Sequence, residues 1–188
     1  SRAIEESLNR PDDFKLPAVR TLIIYPMNAL VSDQLARFRK IMGSETFRDI
    51  FISSTNAERI PHFGMYTGRT PYSGEPIEKS NIKLAETYRK QYLVDELATE
   101  QERKAQLRKI NGLKSINKYP ARNGGEDGLR VFVDNLENNI HKPGPLDAEY
   151  ITRFEIQKNT PDILITNYSM LEYMLMRQVE SGIWDDTK

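Results

Sequence analysis

Cysteine is absent from this sequence, which excludes disulfides and zinc–thiolate sites. Histidine is scarce, and His62 and His141 are the only imidazoles available as metal ligands or general bases. No apolar run approaches the roughly 18 residues that a membrane-spanning helix needs, and the polar residues 1–10 lack the apolar segment of a secretory signal. These absences predict a cytoplasmic protein without a membrane partner.

Net charge is also absent, because 27 Lys and Arg balance 27 Asp and Glu. A surface that binds a polyanion must therefore be a local patch. Charged residues make up 29% of the chain and the mean hydropathy is −0.62, values typical of long solvated helices. A length of 188 residues suffices for one domain, or for a smaller domain with an insertion.

The most informative segment that is present joins a strand to a helix. The apolar run within Arg20–Tyr25 predicts a strand covered on both faces, as in a parallel sheet. Pro26 ends this strand because it offers no N–H and fixes its own φ. Helical spacing of apolar residues then predicts a helix over residues 28–42. Open α/β sheets bind phosphates at such junctions, where a helix N-terminus meets the carboxyl end of a strand.

Two further loops follow predicted strands. A strand around His62–Tyr66 leads into Thr67–Thr70, and a buried strand Ile163–Thr166 leads into a loop that ends at Ser169. If the sheet is parallel, all three loops lie along its carboxyl edge. Backbone N–H groups, hydroxyls, an amide and a guanidinium there can hold phosphates without reading bases. Taken singly, each loop also fits an ordinary helix cap or a solvated charge.

The segments between these loops are mostly helical in pattern. Residues from Ile77 to about Leu113 are rich in charge and predict one long helix or two shorter ones. A helix is also predicted over Asp147–Gln157. Ser169 and Glu172 have the spacing of a capping box at the start of a last helix.

These loops resemble motifs of the superfamily 2 DEAD/DEAH-box helicases. The first junction matches motif Ia in the variant Y-P-M-N-A-L-x-x-D-Q, Gly64–Thr70 is similar to the motif Ib region, and Pro161–Leu171 is similar to the next motif, P-D-I-L-x-T-N-x-x-M-L. In that family the loops bind the sugar-phosphate backbone of one strand. The resemblance implies nucleic-acid binding by Pro26, Met27, Asn28, Gly68, Arg69, Thr70, Thr166 and Asn167.

The chemistry of a helicase motor is missing from the sequence. There is no G-x-x-x-x-G-K-S/T loop, and no D-E-x-H or D-E-x-D follows a strand. In the family these motifs flank the region matched here, so we expect a fragment of the first RecA-like domain without Walker A and Walker B. We predict no catalytic residue, metal site or cofactor in this chain, and read Asp185 and Asp186 as solvated. ATP and Mg²⁺ are expected for the full-length parent, an ATP-dependent DNA helicase, and the chain alone is predicted to be inactive.

The predicted fold is α/β, a partial RecA-like parallel sheet with flanking helices and a mostly helical insertion. Residues 1–72 and 156–188 form the two parts of the core, and residues 73–155 form the insertion. The implied partners are nucleic acid, with single-stranded DNA favoured over RNA, and the missing parts of the same helicase. DNA repair and phage defence are the family's context. The alternative is a non-catalytic interaction module whose helical insertion recruits a partner protein.

Overall fold

The structure, a computed structural model, describes residues 2–72, 77–185 and 187. The predicted boundary at residue 73 and the predicted solvated residue Asp186 lie outside the described residues. No helix in the described part of the chain is long and apolar enough to cross a bilayer. The elements follow in the order α1 (Arg2–Asn9), α2 (Pro11–Lys15), β1 (Thr21–Tyr25), α3 (Asn28–Met42), α4 (Glu45–Thr55), β2 (Phe63–Tyr66), α5 (Glu78–Tyr92), α6 (Glu100–Ser115), α7 (Glu126–Glu137), β3 (Glu149–Tyr150), α8 (Arg153–Lys158), β4 (Ile163–Asn167), α9 (Tyr168–Met176), a 3-10 helix (Gln178–Glu180) and α10 (Ser181–Asp185).

All four of these strands are parallel and lie in the spatial order β1-β4-β2-β3. The central strand β4 pairs with β1 on one side and with β2 on the other, so that Ile163 lies opposite both Thr21 and Phe63. The predicted α/β class, with a parallel sheet and flanking helices, is confirmed. Because the strands are parallel, the carboxyl ends of β1, β4 and β2 lie side by side at one edge.

Strand β1 lies at the margin of the sheet, and the prediction that it is covered on both faces is wrong. Leu22 and Ile24 share one face of the strand and are 37% and 43% exposed. The continuous burial expected of β1 is found instead in β4, where Leu164 and Ile165 are fully buried. An apolar run marks a strand of a parallel sheet, but its position in the sheet depends on pairing across the whole chain.

Three apolar clusters stabilise the fold. The first packs α3 and α4 against one face of the sheet through residues such as Leu35, Phe51 and Phe63. The second covers the opposite face around Tyr66 and Leu164, which alternate with the first set along the strands. The third holds α5, α6 and α7 together, with Ala85, Ile110, Leu129, Phe132, Val133 and Leu136 at its centre.

The helical segments differ from the sequence-based expectation at two places. The charged segment that begins near Ile77 forms two helices, α5 and α6, which confirms the second of the two alternatives left open. The single helix predicted over Asp147–Gln157 is wrong, because β3 occupies Glu149–Tyr150 and pairs with β2. The helix α8 begins only at Arg153, where Thr152 and Glu155 form a capping box.

A buried ion-pair network joins the starts of β1 and β4 to the N-terminal helices. Asp162 is 1% exposed and accepts hydrogen bonds from Arg20 Nη1 at 2.8 Å, from Arg59 Nη1 at 2.6 Å and from the backbone N–H of His62 at 2.8 Å. Arg20 also pairs with the buried carboxylate of Glu6. This network fixes the start of β4 beside the start of β1.

Candidate nucleic-acid interface

Three loops meet at the carboxyl edge of the sheet, as the sequence predicted for a parallel arrangement. The loop after β1 begins at Pro26, and the loop after β2 spans Thr67–Thr70. The loop predicted to end at Ser169 is wrong, because β4 ends at Asn167 and α9 begins directly at Tyr168. We keep the name third loop for this strand-to-helix junction. The register places Tyr25 opposite Asn167 and Tyr66 opposite Thr166, so the three strands end at the same level. We call this edge the rim.

The first loop leads into a helix whose first turn has no side-chain cap. Met27 is the N-cap residue of α3, with extended backbone angles (φ −136°, ψ 148°) and no capping hydrogen bond. Pro26 is exposed, Met27 is 60% exposed and Asn28 is half-buried. The first N–H groups of a helix have no intrahelical partner and carry a partial positive charge. The start of α3 therefore brings anion-binding groups to the rim.

Asn167 connects the first loop to the third. Its Nδ2 donates to Asn28 Oδ1 at 2.6 Å, and its Oδ1 accepts the backbone N–H of Met170 at 2.8 Å. Asn167 is therefore the N-cap of α9, and the predicted capping box of Ser169 and Glu172 is wrong. That helix begins at Tyr168, which places Ser169 inside its first turn. The amide of Asn167 positions two loops relative to each other.

The hydroxyls predicted at the rim are turned to the protein backbone. Thr166 is fully buried, and its Oγ1 donates to Tyr66 O at 2.7 Å, which connects the carboxyl ends of β4 and β2. Thr70 is 4% exposed; its Oγ1 donates to Met65 O at 2.6 Å and accepts from Thr67 N at 3.0 Å. These two residues shape the loops, and their part in binding stays a prediction.

Gly68 and Arg69 form the exposed part of the second loop. A Cβ built on Gly68 would meet no atom within 4 Å, and its φ is not in the left-handed region. Neither packing nor backbone conformation therefore requires glycine here. The Arg69 backbone N–H donates to Thr67 Oγ1 at 3.2 Å, while its exposed guanidinium has no partner in the part of the chain that the structure describes. Both residues leave room for a ligand.

The two histidines are buried and packed against aromatic rings. His62 Nδ1 lies 2.7 Å from Asp147 O, and its ring stacks on Tyr150 at 4.9 Å between centroids. Burial lowers the pKa of His62 to about 4. Burial also lowers the pKa of His141, which packs between Tyr72 and Phe154. Both rings are neutral at pH 7 and have structural positions.

One cation beneath the rim is not apparent from the sequence. Arg153 Nη2 donates to Thr67 O at 2.7 Å, and its Cζ lies 5.2 Å from the centroid of the Tyr66 ring. The guanidinium therefore supports the second loop directly. Arg153 and Thr67 are 86 positions apart, and no local pattern connects them.

Comparison with known proteins finds a relative that is far longer than this chain. The chain is 36% identical over 200 residues to the Druantia protein DruE of Escherichia coli (strain UMEA 4076-1). The match covers 97% of the chain but only 10% of that relative. No family model matches the chain, and no solved structure does. The resemblance to superfamily 2 helicases therefore stays a prediction.

Proposed function

We propose that this chain is part of the first RecA-like domain of a superfamily 2 DNA helicase or translocase, in which the rim grips the sugar-phosphate backbone of single-stranded DNA. The observation that carries the proposal is that the three loops meet at one edge of the sheet. They lie side by side on parallel strands and are joined by hydrogen bonds from Asn167 to Asn28 and from Thr166 to Tyr66. The order of the three motif resemblances along the chain agrees with this geometry.

The rim offers the groups that hold phosphates without reading bases. These are the uncapped first turn of α3, the open backbone at Gly68 and the guanidinium of Arg69, which has no partner among the described residues. Contacts of this kind fix the position of a strand and carry no sequence information. The expected ligand is therefore a single strand of any sequence, bound with a strong dependence on salt concentration.

No catalytic step is assigned to this chain. The sequence has no G-K-S/T loop to hold nucleotide phosphates. The described residues contain no group of three or more His, Cys, Asp or Glu that could hold a metal ion. The residues present therefore do not fit ATP and Mg²⁺, which would bind to other parts of the full-length parent. The similarity to one tenth of the Druantia protein DruE supports a segment of a larger protein. DNA repair or phage defence is the proposed setting.

Arg69→Ala is expected to weaken binding to single-stranded DNA about five-fold at low salt, because one phosphate contact is lost. The slope of log K against log salt concentration should become shallower by about 0.7. Fluorescence anisotropy with a labelled oligothymidylate over a salt series measures both quantities. Arg37→Ala is the matched control, because Arg37 is an exposed arginine about 14 Å along α3 from its start. Equal losses in the two variants would contradict a role for Arg69 at the rim.

Gly68→Ala is expected to weaken binding without lowering stability. The added methyl group meets no protein atom within 4 Å, so it would occupy space that the ligand backbone needs. A glycine replaced at a compatible φ usually stabilises a protein by about 0.4–1 kcal/mol. Gly112→Ala is the control, since its Cβ also meets nothing within 4 Å and it lies in α6. Thermal unfolding and anisotropy on both variants separate the two effects, and full affinity in Gly68→Ala would place the ligand elsewhere.

The interaction module is the second candidate, because the insertion has an apolar cluster of its own. A cavity of about 650 Å³ also lies among its helices, and Leu97 beside it is 95% exposed. If the unaltered chain shows no salt-dependent binding to DNA and forms a stable complex with a protein through residues 77–113, this candidate replaces the first.

A further inference from the structure

Arg153 is a buried cation without an anionic partner in the described chain. It is 6% exposed, and Nη2 donates to a neutral acceptor, the carbonyl oxygen of Thr67, at 2.7 Å. Its Nε is buried and has no hydrogen-bond partner among the described residues. Buried charges are normally paired with an opposite charge, because an isolated ion loses its hydration without compensation. The position of Arg153 is therefore unusual within this fold.

The other arginines that are largely buried all have carboxylate partners. The pairs are Arg20 with Asp162 at 2.8 Å, Arg39 with Glu149 at 2.6 Å, Arg59 with Asp162 at 2.6 Å and Arg122 with Asp147 at 3.1 Å. The Tyr66 ring that Arg153 contacts donates its hydroxyl to Glu180 at 2.8 Å, and Glu180 pairs with Arg177 at 3.4 Å. No carboxylate among the described residues pairs with Arg153, so its charge is open to a ligand.

Arg153 lines a cleft between the second loop and α5. The cleft has a volume of about 500 Å³, within the usual range for a ligand site. Lys83 also lines it, and this exposed lysine forms no ion pair with any residue that the structure describes. Its other described walls carry hydroxyl, glycine and apolar groups and no carboxylate: Gly68, Thr70, Pro71, Tyr72, Ile77, Ser80, Leu84 and Thr87. Two cations with no carboxylate among the described walls favour an anion.

We infer that this cleft, which we call the α5 cleft, holds a phosphodiester of the DNA strand beyond the Gly68 loop, with Arg153 and Lys83 as its counter-charges. The inference rests on the proposed function, because Gly68 of the rim also lines the cleft. Apolar groups of Pro71, Ile77 and Leu84 provide a surface for the sugar. The helix α5 belongs to the predicted insertion, so this insertion forms one wall of the strand-binding path.

Lys83→Ala and Arg153→Met test the α5 cleft by anisotropy with labelled oligothymidylate over a salt series. Each variant is expected to weaken binding about five-fold at low salt and to make the salt slope shallower by about 0.7. Lys90→Ala is the control, because Lys90 is an exposed lysine of the same helix that lines a different cavity. Arg153→Met also removes the hydrogen bond to Thr67 O, so its unfolding temperature is measured beside its affinity, and Lys83→Ala tests the cleft without that loss.

The outcomes separate the cleft from the rim. Loss of affinity in Arg69→Ala with full affinity in Lys83→Ala and Arg153→Met overturns the cleft and leaves the proposed function in place. No binding by the unaltered chain removes both. Inorganic phosphate that raises the unfolding temperature of the unaltered chain but not of Arg153→Met, with oligonucleotide binding unchanged in that variant, assigns the cleft to a free anion and also overturns the inference.

Discussion

Asp162→Ala is expected to lower the free energy of unfolding by about 3–5 kcal/mol, the usual cost of removing one partner from a buried ion pair. Asp162 is 1% exposed and holds both Arg20 and Arg59, so its loss leaves two guanidiniums without their common carboxylate. The backbone N–H of His62 also loses its acceptor. Urea unfolding at pH 7 followed by circular dichroism measures the change.

Asp49→Ala is the matched control for this substitution. Asp49 is exposed in the middle of α4, and it has no ion pair or hydrogen bond through its side chain in the part of the chain that is described. Its replacement should change the free energy of unfolding by no more than about 0.5 kcal/mol. If the two variants differ by less than about 1 kcal/mol, the network around Asp162 does not hold the sheet as the geometry indicates.

Asp162 also shows that one sequence motif can contain both residues that stabilise the fold and residues proposed to bind a ligand. The P-D-I-L segment resembles a helicase motif, yet its aspartate lies at the start of β4, away from the rim at the other end of the strand. The carboxylate serves to anchor β1 and β4 to the N-terminal helices. The groups at the rim come from the other end of the same segment, where Asn167 caps α9. Spacing in the sequence does not separate these two functions.

The arrangement of the rim was predictable because it depends on local patterns. Short apolar runs followed by Pro26, by a glycine-containing loop and by Asn167 mark three strand ends, and parallel pairing then brings them together. The exposure of β1 was not predictable, because it depends on which strand pairs with which. For the same reason the two-residue strand β3 was missed: its pairing with β2 is a contact between distant segments.

The polar details of the site depend even more on long-range contacts. A threonine near the end of a strand can offer its hydroxyl to a ligand or to the backbone, and only the fold decides that Thr166 donates to Tyr66 O. Arg153 lies in a segment whose pattern is simply helical, and its position under the second loop follows from the path of β3 and α8. The sequence therefore identifies the rim but not the cation beneath it.

Acidification from pH 7 to pH 4 is expected to lower the free energy of unfolding by about 3 kcal/mol through His62 alone. Burial is the main cause that lowers the pKa of His62 to about 4, whereas an unfolded histidine has a pKa of about 6.5. Below pH 6.5 the unfolded chain therefore binds a proton that the folded chain does not bind. Stability is complete above pH 6.5 and is lost progressively as the pH falls to about 4. Urea unfolding at several pH values measures this loss.

His62→Asn separates this effect from the other titrating groups. A carbonyl oxygen can only accept a hydrogen bond, so Nδ1 of His62 carries the proton that it donates to Asp147 O at 2.7 Å. The asparagine amide can donate from a similar position but does not titrate. The variant should lose less stability between pH 7 and pH 4 by about 3 kcal/mol. The loss that remains should come from His141, whose pKa burial also lowers, and from carboxyl groups such as Glu6. The burial of Glu6 is outweighed by hydrogen bonds from Arg20 and Arg2, which lower its pKa. An unchanged pH dependence in His62→Asn would show that the ring is protonated in the folded chain, contrary to its burial against Tyr150.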